Sequence, residues 1–164
     1  MLDPLLIRTA EALLADLRAR GWRLATAESC TGGLVAGVLT AVPGSSDVVD
    51  RGFVTYSNEA KTELIGVTPD TLARHGAVSE AVAREMAAGA LARSRADIAV
   101  SVTGIAGPGG GTADKPVGLV HMAAVRRDGK STHEAYRFGD VGRGEVRRLA
   151  VSAALTLVRT LAAR

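Results

Sequence analysis

Apolar residues recur along the chain at two spacings, one suited to helices and one to strands. Leu6, Ala10, Leu13, Leu14 and Leu17 fall three or four positions apart, which places them on one helical face. Asp3-Pro4 ahead of them reads as an N-cap and first helical residue, and Gly21 as the stop. Trp22–Ala27 is a short apolar-rich stretch of strand character. Thr31-Gly32-Gly33 opens a second helix through Leu39, ended by Pro43-Gly44. Gly52–Ser57 has β-branched and aromatic residues at strand density. Asn58–Ile65 predicts a short helix and Thr68-Pro69 the start of another. Ser79-Glu80 begins a longer helix to about Arg93, with Val82, Met86, Ala90 and Leu91 on its apolar face.

Asp97–Thr103 is a compact apolar run, the form that a buried central strand takes. A glycine-rich loop follows, then strands at Val117–Val125 and Ser131–Phe138 with Arg127-Asp128-Gly129 as the hairpin turn. A last helix runs from about Gly144 to Ala163. Strands and helices interleave, with one antiparallel hairpin near the end. The pattern predicts an α/β fold, a three-layer α/β/α sandwich on a five-stranded mixed sheet. No repeat, low-complexity linker or charge block divides residues 1–164, so one domain is expected.

Composition narrows the function classes. Aromatic residues make up only 3% of the chain, so the core is aliphatic and base-stacking platforms for nucleic acid are not expected. The net charge of +3 comes from scattered basic residues and forms no stripe for DNA. A mild positive bias suits a small anionic substrate. Cys30 is the only cysteine, which excludes an internal disulfide and a structural cysteine cluster for zinc. At a helix start it has the position of a thiolate nucleophile, but without a nearby histidine the expectation is packing. His75, His121 and His133 lack metal-ligand spacing, and neither metal nor cofactor is expected. No signal segment or long uncharged apolar run is present, so a cytoplasmic protein without membrane contact is expected. Helix faces rich in Ala and Leu fit a homodimer.

Three blocks carry candidate chemistry. PGSSDVVDRGFVTYSNEAK, at Pro43–Lys61, brings a hydroxyl, a phenol and an amine into one short unit. A partly desolvated Lys61 amine can activate Ser46, a Ser–Lys solution to amide cleavage that needs neither histidine nor metal. Tyr56 is placed to relay or orient a proton. AESCTGG, at Ala27–Gly33, lies where a strand meets a helix, the position at which open α/β sheets bind ligands. Free N–H groups at that helix start, with Gly32 and Gly33 allowing close approach and Ser29 and Thr31 adding hydroxyls, make a candidate phosphate seat. TGIAGPGGG, at Thr103–Gly111, exposes backbone donors, yet matches neither the dinucleotide fingerprint nor the Walker pattern. Ser29 also ends a strand, so it stands as an alternative nucleophile. A non-catalytic nucleotide-binding module, which needs neither Ser46 nor Lys61, is the competing class.

In order and spacing, AESCTGG, PGSS…GFVTYSNEAK, HGAVSE and TGIAGPGGG…KPVG resemble the C-terminal domain of the CinA (competence/damage-inducible) family. The match is closest to the stand-alone form of the domain and runs from the first helix to about Arg148. Nothing precedes that helix, so the N-terminal domain of longer members is expected to be missing. The resemblance implies hydrolysis of the carboxamide of nicotinamide mononucleotide to nicotinic acid mononucleotide and ammonia, within pyridine nucleotide recycling. It implies a metal-free Ser–Lys dyad in which the family serine falls on Ser46, the lysine on Lys61 and the motif tyrosine on Tyr56. Ribose and phosphate are then expected along Ser29, Thr31, Gly32 and Gly33 and along Thr103, Gly104 and Gly107. The family's Gly-Asp-Arg is interrupted here as Gly139-Asp140-Val141-Gly142-Arg143, with Arg143 as the candidate for its arginine.

Overall fold

The computed structural model describes residues 2–164 as helices and strands that interleave along the chain. Their order is α1 (Pro4–Ala19), β1 (Leu24–Glu28), α2 (Leu34–Thr40), β2 (Val49–Val54), α3 (Asn58–Ile65), α4 (Pro69–His75) and α5 (Glu80–Ala92). Then follow β3 (Ile98–Gly104), β4 (Leu119–Arg126), β5 (Ser131–Arg137) and α6 (Arg143–Ala162), with a single 3-10 turn at Ser45–Asp47. One sheet has the order β2-β1-β3-β4-β5. β1 runs parallel to β2 and β3, and β4 runs antiparallel to β3 and β5. The carboxyl ends of β1, β2, β3 and β5 therefore share one edge of the sheet. The segments leaving them meet there, as the α/β rule for ligand sites requires.

Side-chain alternation sorts the helices onto two faces. Leu24, Ile98, Val100 and Val102 face a core built with α1, α2 and α6. Ala25, Ala27 and Ala99 face the other side, where α5 and the end of α3 pack. These small residues let α5 lie close to the sheet, and the buried Ser101 hydroxyl donates to the Ala83 carbonyl at 2.5 Å. Gly89 of α5 touches the last residue of α3. A Cβ there would lie 1.8 Å from the Ile65 carbonyl oxygen. Gly89→Ala is expected to lower the unfolding free energy by about 1–3 kcal/mol through overpacking, despite a helix-propensity gain of about 1 kcal/mol. Denaturant unfolding checks this, and an unchanged or raised midpoint would refute it.

Two predicted elements shift by three residues at their start. Helix α2 begins at Leu34 and not at Thr31, because Gly32 and Gly33 take φ values of 59° and 97° and form a left-handed turn. β2 begins at Val49, three residues before the predicted start, and ends at Val54. It registers against β1 from Leu24 to Glu28, while the Ser57 hydroxyl caps α3 by accepting from the Ala60 N–H at 3.0 Å. No helix among the described residues is long and apolar enough to cross a membrane.

Candidate active site

Ser29 is the first residue beyond β1, half-buried, and held by both of its backbone groups. Its N–H donates to Val102 O at 2.9 Å and its carbonyl accepts from Gly32 N–H at 3.0 Å. Glu28, the buried last residue of β1, turns its carboxylate to the start of α2. It accepts from the N–H groups of Gly33 at 3.1 Å, Val35 at 3.0 Å and Ala36 at 2.9 Å. Three of the donors expected to be free at this helix start are thus already used by a carboxylate of the chain itself. Thr31 is buried and its hydroxyl has no partner among the described residues. The roles of Thr31, Gly32 and Gly33 visible here lie in shaping the turn after Ser29.

Lys61 lies on the second turn of α3, which directly follows the exit of β2, and is only 1% exposed. Its Nζ stands 3.1 Å from Ser29 Oγ, 3.0 Å from Thr55 O, 3.4 Å from Tyr56 O and 3.5 Å from Ser57 O. No carboxylate lies within salt-bridge distance among the described residues. Burial drives the Lys61 ammonium below the usual lysine range, against an upward pull from Cys30 and Glu59. Cys30 is itself buried, and desolvation pushes its thiol up to about 11, so it is a packing residue and not a thiolate.

The expected Ser46–Lys61 pair is not formed. Ser46 is exposed on the 3-10 turn before β2, whereas Lys61 follows the far end of β2. A strand of six residues spans about 17 Å, so β2 carries the two side chains to opposite edges of the sheet. The partner that reaches Lys61 is Ser29, the alternative serine.

Tyr56 stands at the rim, 60% exposed. Its hydroxyl accepts from Arg143 Nη2 at 3.0 Å, while only its backbone carbonyl approaches Lys61. The expected proton relay through the phenol therefore has no hydrogen-bond path in this arrangement. Arg143 Nη1 donates to Gly107 O at 3.0 Å. The inserted Val141-Gly142 thus leaves Arg143 at the site, because α6 starts at the same sheet edge. Arg143 pairs with no carboxylate among the described residues, and its guanidinium is partly open to solvent. Thr103 is buried and its hydroxyl is committed to Ala77 O at 2.8 Å. Gly104 serves close packing, since a Cβ would lie 2.7 Å from Val120 Cγ2 and 2.9 Å from Leu119 O.

Antiparallel pairing of β4 and β5 brings His121 Nδ1 within 2.9 Å of His133 Nε2. No group of three metal-ligating side chains is assembled among the described residues.

The family model for the CinA C-terminal domain matches residues 7–162. The chain belongs to this family. It is 54% identical over 157 residues to the nicotinamide-nucleotide amidohydrolase PncC of Escherichia coli strain K12, covering 94% of this chain and 93% of the relative. A CinA-like protein of Anaeromyxobacter sp. strain K is 53% identical over 150 residues, which is 91% of this chain but 36% of that longer protein. Among solved structures, the competence/damage inducible protein CihA of Agrobacterium tumefaciens superposes with a TM-score of 0.96 at 52% identity, covering 98% of each chain.

In this member of the CinA C-terminal domain family, two charged residues of the site escape a reading of the sequence. Glu28 is visible only as an acid at the end of an apolar strand, a position where a carboxylate needs internal donors. Arg147 follows Arg143 by one helical turn, so both reach the same edge of the sheet. Its Nε donates to Cys30 O and its Nη2 to Thr31 O, each at 3.1 Å.

Proposed function

We propose that the protein hydrolyses the carboxamide of nicotinamide mononucleotide to nicotinic acid mononucleotide and ammonia, with Ser29 as nucleophile and Lys61 as base, in pyridine nucleotide recycling. One observation carries the reading: a buried lysine amine 3.1 Å from a serine hydroxyl at a strand exit. The Escherichia coli relative, a nicotinamide-nucleotide amidohydrolase, supports the substrate class.

Neutral Lys61 accepts the Ser29 Oγ proton as Oγ bonds to the carboxamide carbon and the carbonyl electron pair moves to oxygen. Collapse of the tetrahedral intermediate breaks the C–N bond, and the proton on Lys61 goes to the departing nitrogen, which leaves as ammonia. Water then gives a proton to Lys61 while its oxygen bonds to the acyl carbon. The second collapse frees Ser29 Oγ, which takes that proton back. Amide and water are consumed, and carboxylic acid and ammonia are formed. The two N–H groups of neutral Lys61 donate among the carbonyls of Thr55, Tyr56 and Ser57, of which Thr55 O is nearest at 3.0 Å, and this leaves the lone pair for Ser29.

Arg143 is the proposed contact for the 5′-phosphate, as a guanidinium at the rim without a carboxylate partner among the described residues. Arg143→Met is expected to raise KM for the mononucleotide about 10–100-fold, the worth of one charge-assisted contact. Turnover of the riboside, which lacks the phosphate, should stay nearly unchanged. Equal loss for both substrates would remove Arg143 from phosphate recognition. The reading as a whole is tested by ammonia release from the mononucleotide by purified protein, and release no faster than in buffer would overturn it.

A further inference from the structure

We propose that Arg147 is a positioning residue that presents the backbone N–H groups of Cys30 and Thr31 as the oxyanion hole. The inference rests on Ser29 being the nucleophile of the reaction above.

In a trans peptide the N–H points opposite to the carbonyl of the preceding residue. The orientation of the Cys30 N–H is therefore set by the Ser29 carbonyl, which is fixed by Gly32 N–H at 3.0 Å. Likewise the Thr31 N–H is set by the Cys30 carbonyl, which accepts from Arg147 Nε at 3.1 Å. A second bond at 3.1 Å, from Arg147 Nη2 to Thr31 O, locks the next peptide plane as well. The other N–H groups of this turn have acceptors. Those of Ser29, Gly32 and Leu34 go to backbone carbonyls, and those of Gly33, Val35 and Ala36 go to the Glu28 carboxylate. Cys30 and Thr31 N–H alone in the stretch 29–36 find no oxygen acceptor among the described residues. They belong to the two residues directly after the nucleophile, where the oxygen of a tetrahedral adduct on Ser29 develops its charge.

Arg147 is suited to this role by what it lacks. The neighbouring Arg148 pairs with Glu145 at 2.7 Å and with Asp3 at 3.4 Å. Arg147 meets no carboxylate among the described residues, so its charge stays uncompensated beneath the turn. A guanidinium on the carbonyl side of a peptide strengthens the N–H on its other side as a donor. Glu28 holds the far end of the same turn, so the loop is clamped by a carboxylate on its N–H groups and a guanidinium on its carbonyls.

The test compares Arg147→Lys and Arg147→Ala with the unaltered protein in steady-state kinetics. It adds binding of the 3-aldehyde analogue of the mononucleotide. The aldehyde carbon bonds to Ser29 Oγ and its oxygen becomes the hemiacetal oxygen, which samples the oxyanion position. The expected result is a fall of about 100-fold in kcat with KM within about threefold. Affinity for the aldehyde should fall by a similar factor while affinity for nicotinic acid mononucleotide is kept. Added guanidinium should restore part of the turnover of Arg147→Ala. Should Arg147→Ala fail to fold, Arg147→Lys, with one ammonium in place of two forked donors, carries the same comparison. Unchanged kcat in Arg147→Lys, or a raised KM at constant kcat, would overturn the inference. Absence of ammonia release by the unaltered protein would instead strike the proposed reaction itself.

Discussion

Ser29→Ala is expected to lower turnover of nicotinamide mononucleotide by about 10⁴-fold or more, while Ser46→Ala stays within about threefold of the parent. The first substitution removes the one hydroxyl bonded to Lys61 Nζ among the described residues. The second removes an exposed hydroxyl on the far side of β2. Background hydrolysis from the site without its nucleophile arises from substrate binding and oxyanion stabilisation alone. The Ser29→Ala protein should therefore still bind the mononucleotide and melt near the parent temperature, because the backbone bonds of residue 29 do not involve its side chain. Ammonia release measured for both variants in one assay decides between the serines. Full activity of Ser29→Ala together with loss in Ser46→Ala would return the nucleophile to the position expected from the sequence resemblance.

Lys61→Arg is expected to abolish turnover to a similar extent, because arginine keeps its proton in proteins and cannot act as a base. In the unaltered enzyme kcat/KM should rise with pH through the Lys61 pKa, which burial holds below the ordinary lysine range. The stability effect has a definite sign. Between the depressed folded pKa and the ordinary lysine pKa, the unfolded chain binds a proton that the folded chain does not, so folded stability gains as pH rises across that window. Below the window both states are protonated and the full cost of burying the ammonium is present. Lys61→Met lacks this dependence, so the stability of the unaltered protein relative to Lys61→Met should climb from neutral pH toward the lysine range. Urea unfolding of both proteins across that range measures it. A constant difference would mean that Lys61 titrates as a free lysine, and retained turnover in Lys61→Arg would make it a charge contact.

The fold was legible because the periodicities in this chain are clean. Leu6 to Leu17 form the buried face of α1, and Asp97–Thr103 became the central strand β3 within one residue at either end. The antiparallel hairpin turns at Arg127-Asp128-Gly129, where Gly129 has a φ of 94°. Lys61 was legible as a candidate amine, and Ser29 as a serine at a strand exit. What the sequence could not disclose was their pairing. Lys61 lies fifteen positions from Ser46 and thirty-two from Ser29, yet parallel pairing of β1 and β2 places the more distant serine beside it. The N–H groups of Gly33, Val35 and Ala36, expected to be free at the start of α2, are taken for a related reason. Glycines and free N–H groups look alike in sequence whether a ligand or a neighbouring carboxylate uses them, and here Glu28 does. Arg143 was found through a motif, but Arg147 has no local signature because its partners are carbonyls 116 and 117 positions away.

That separation bears on the order in which the chain acquires its activity during synthesis. Ser29, Glu28 and Lys61 are all translated early, and the sheet neighbours that hold Ser29 in place are complete once β3 has formed. Arg143 and Arg147 emerge only with the final helix, after the β4–β5 hairpin. In a nascent chain that ends before this helix, the rim and the underside of the Ser29 turn have no brace from these arginines. The docking of the last helix completes the proposed site.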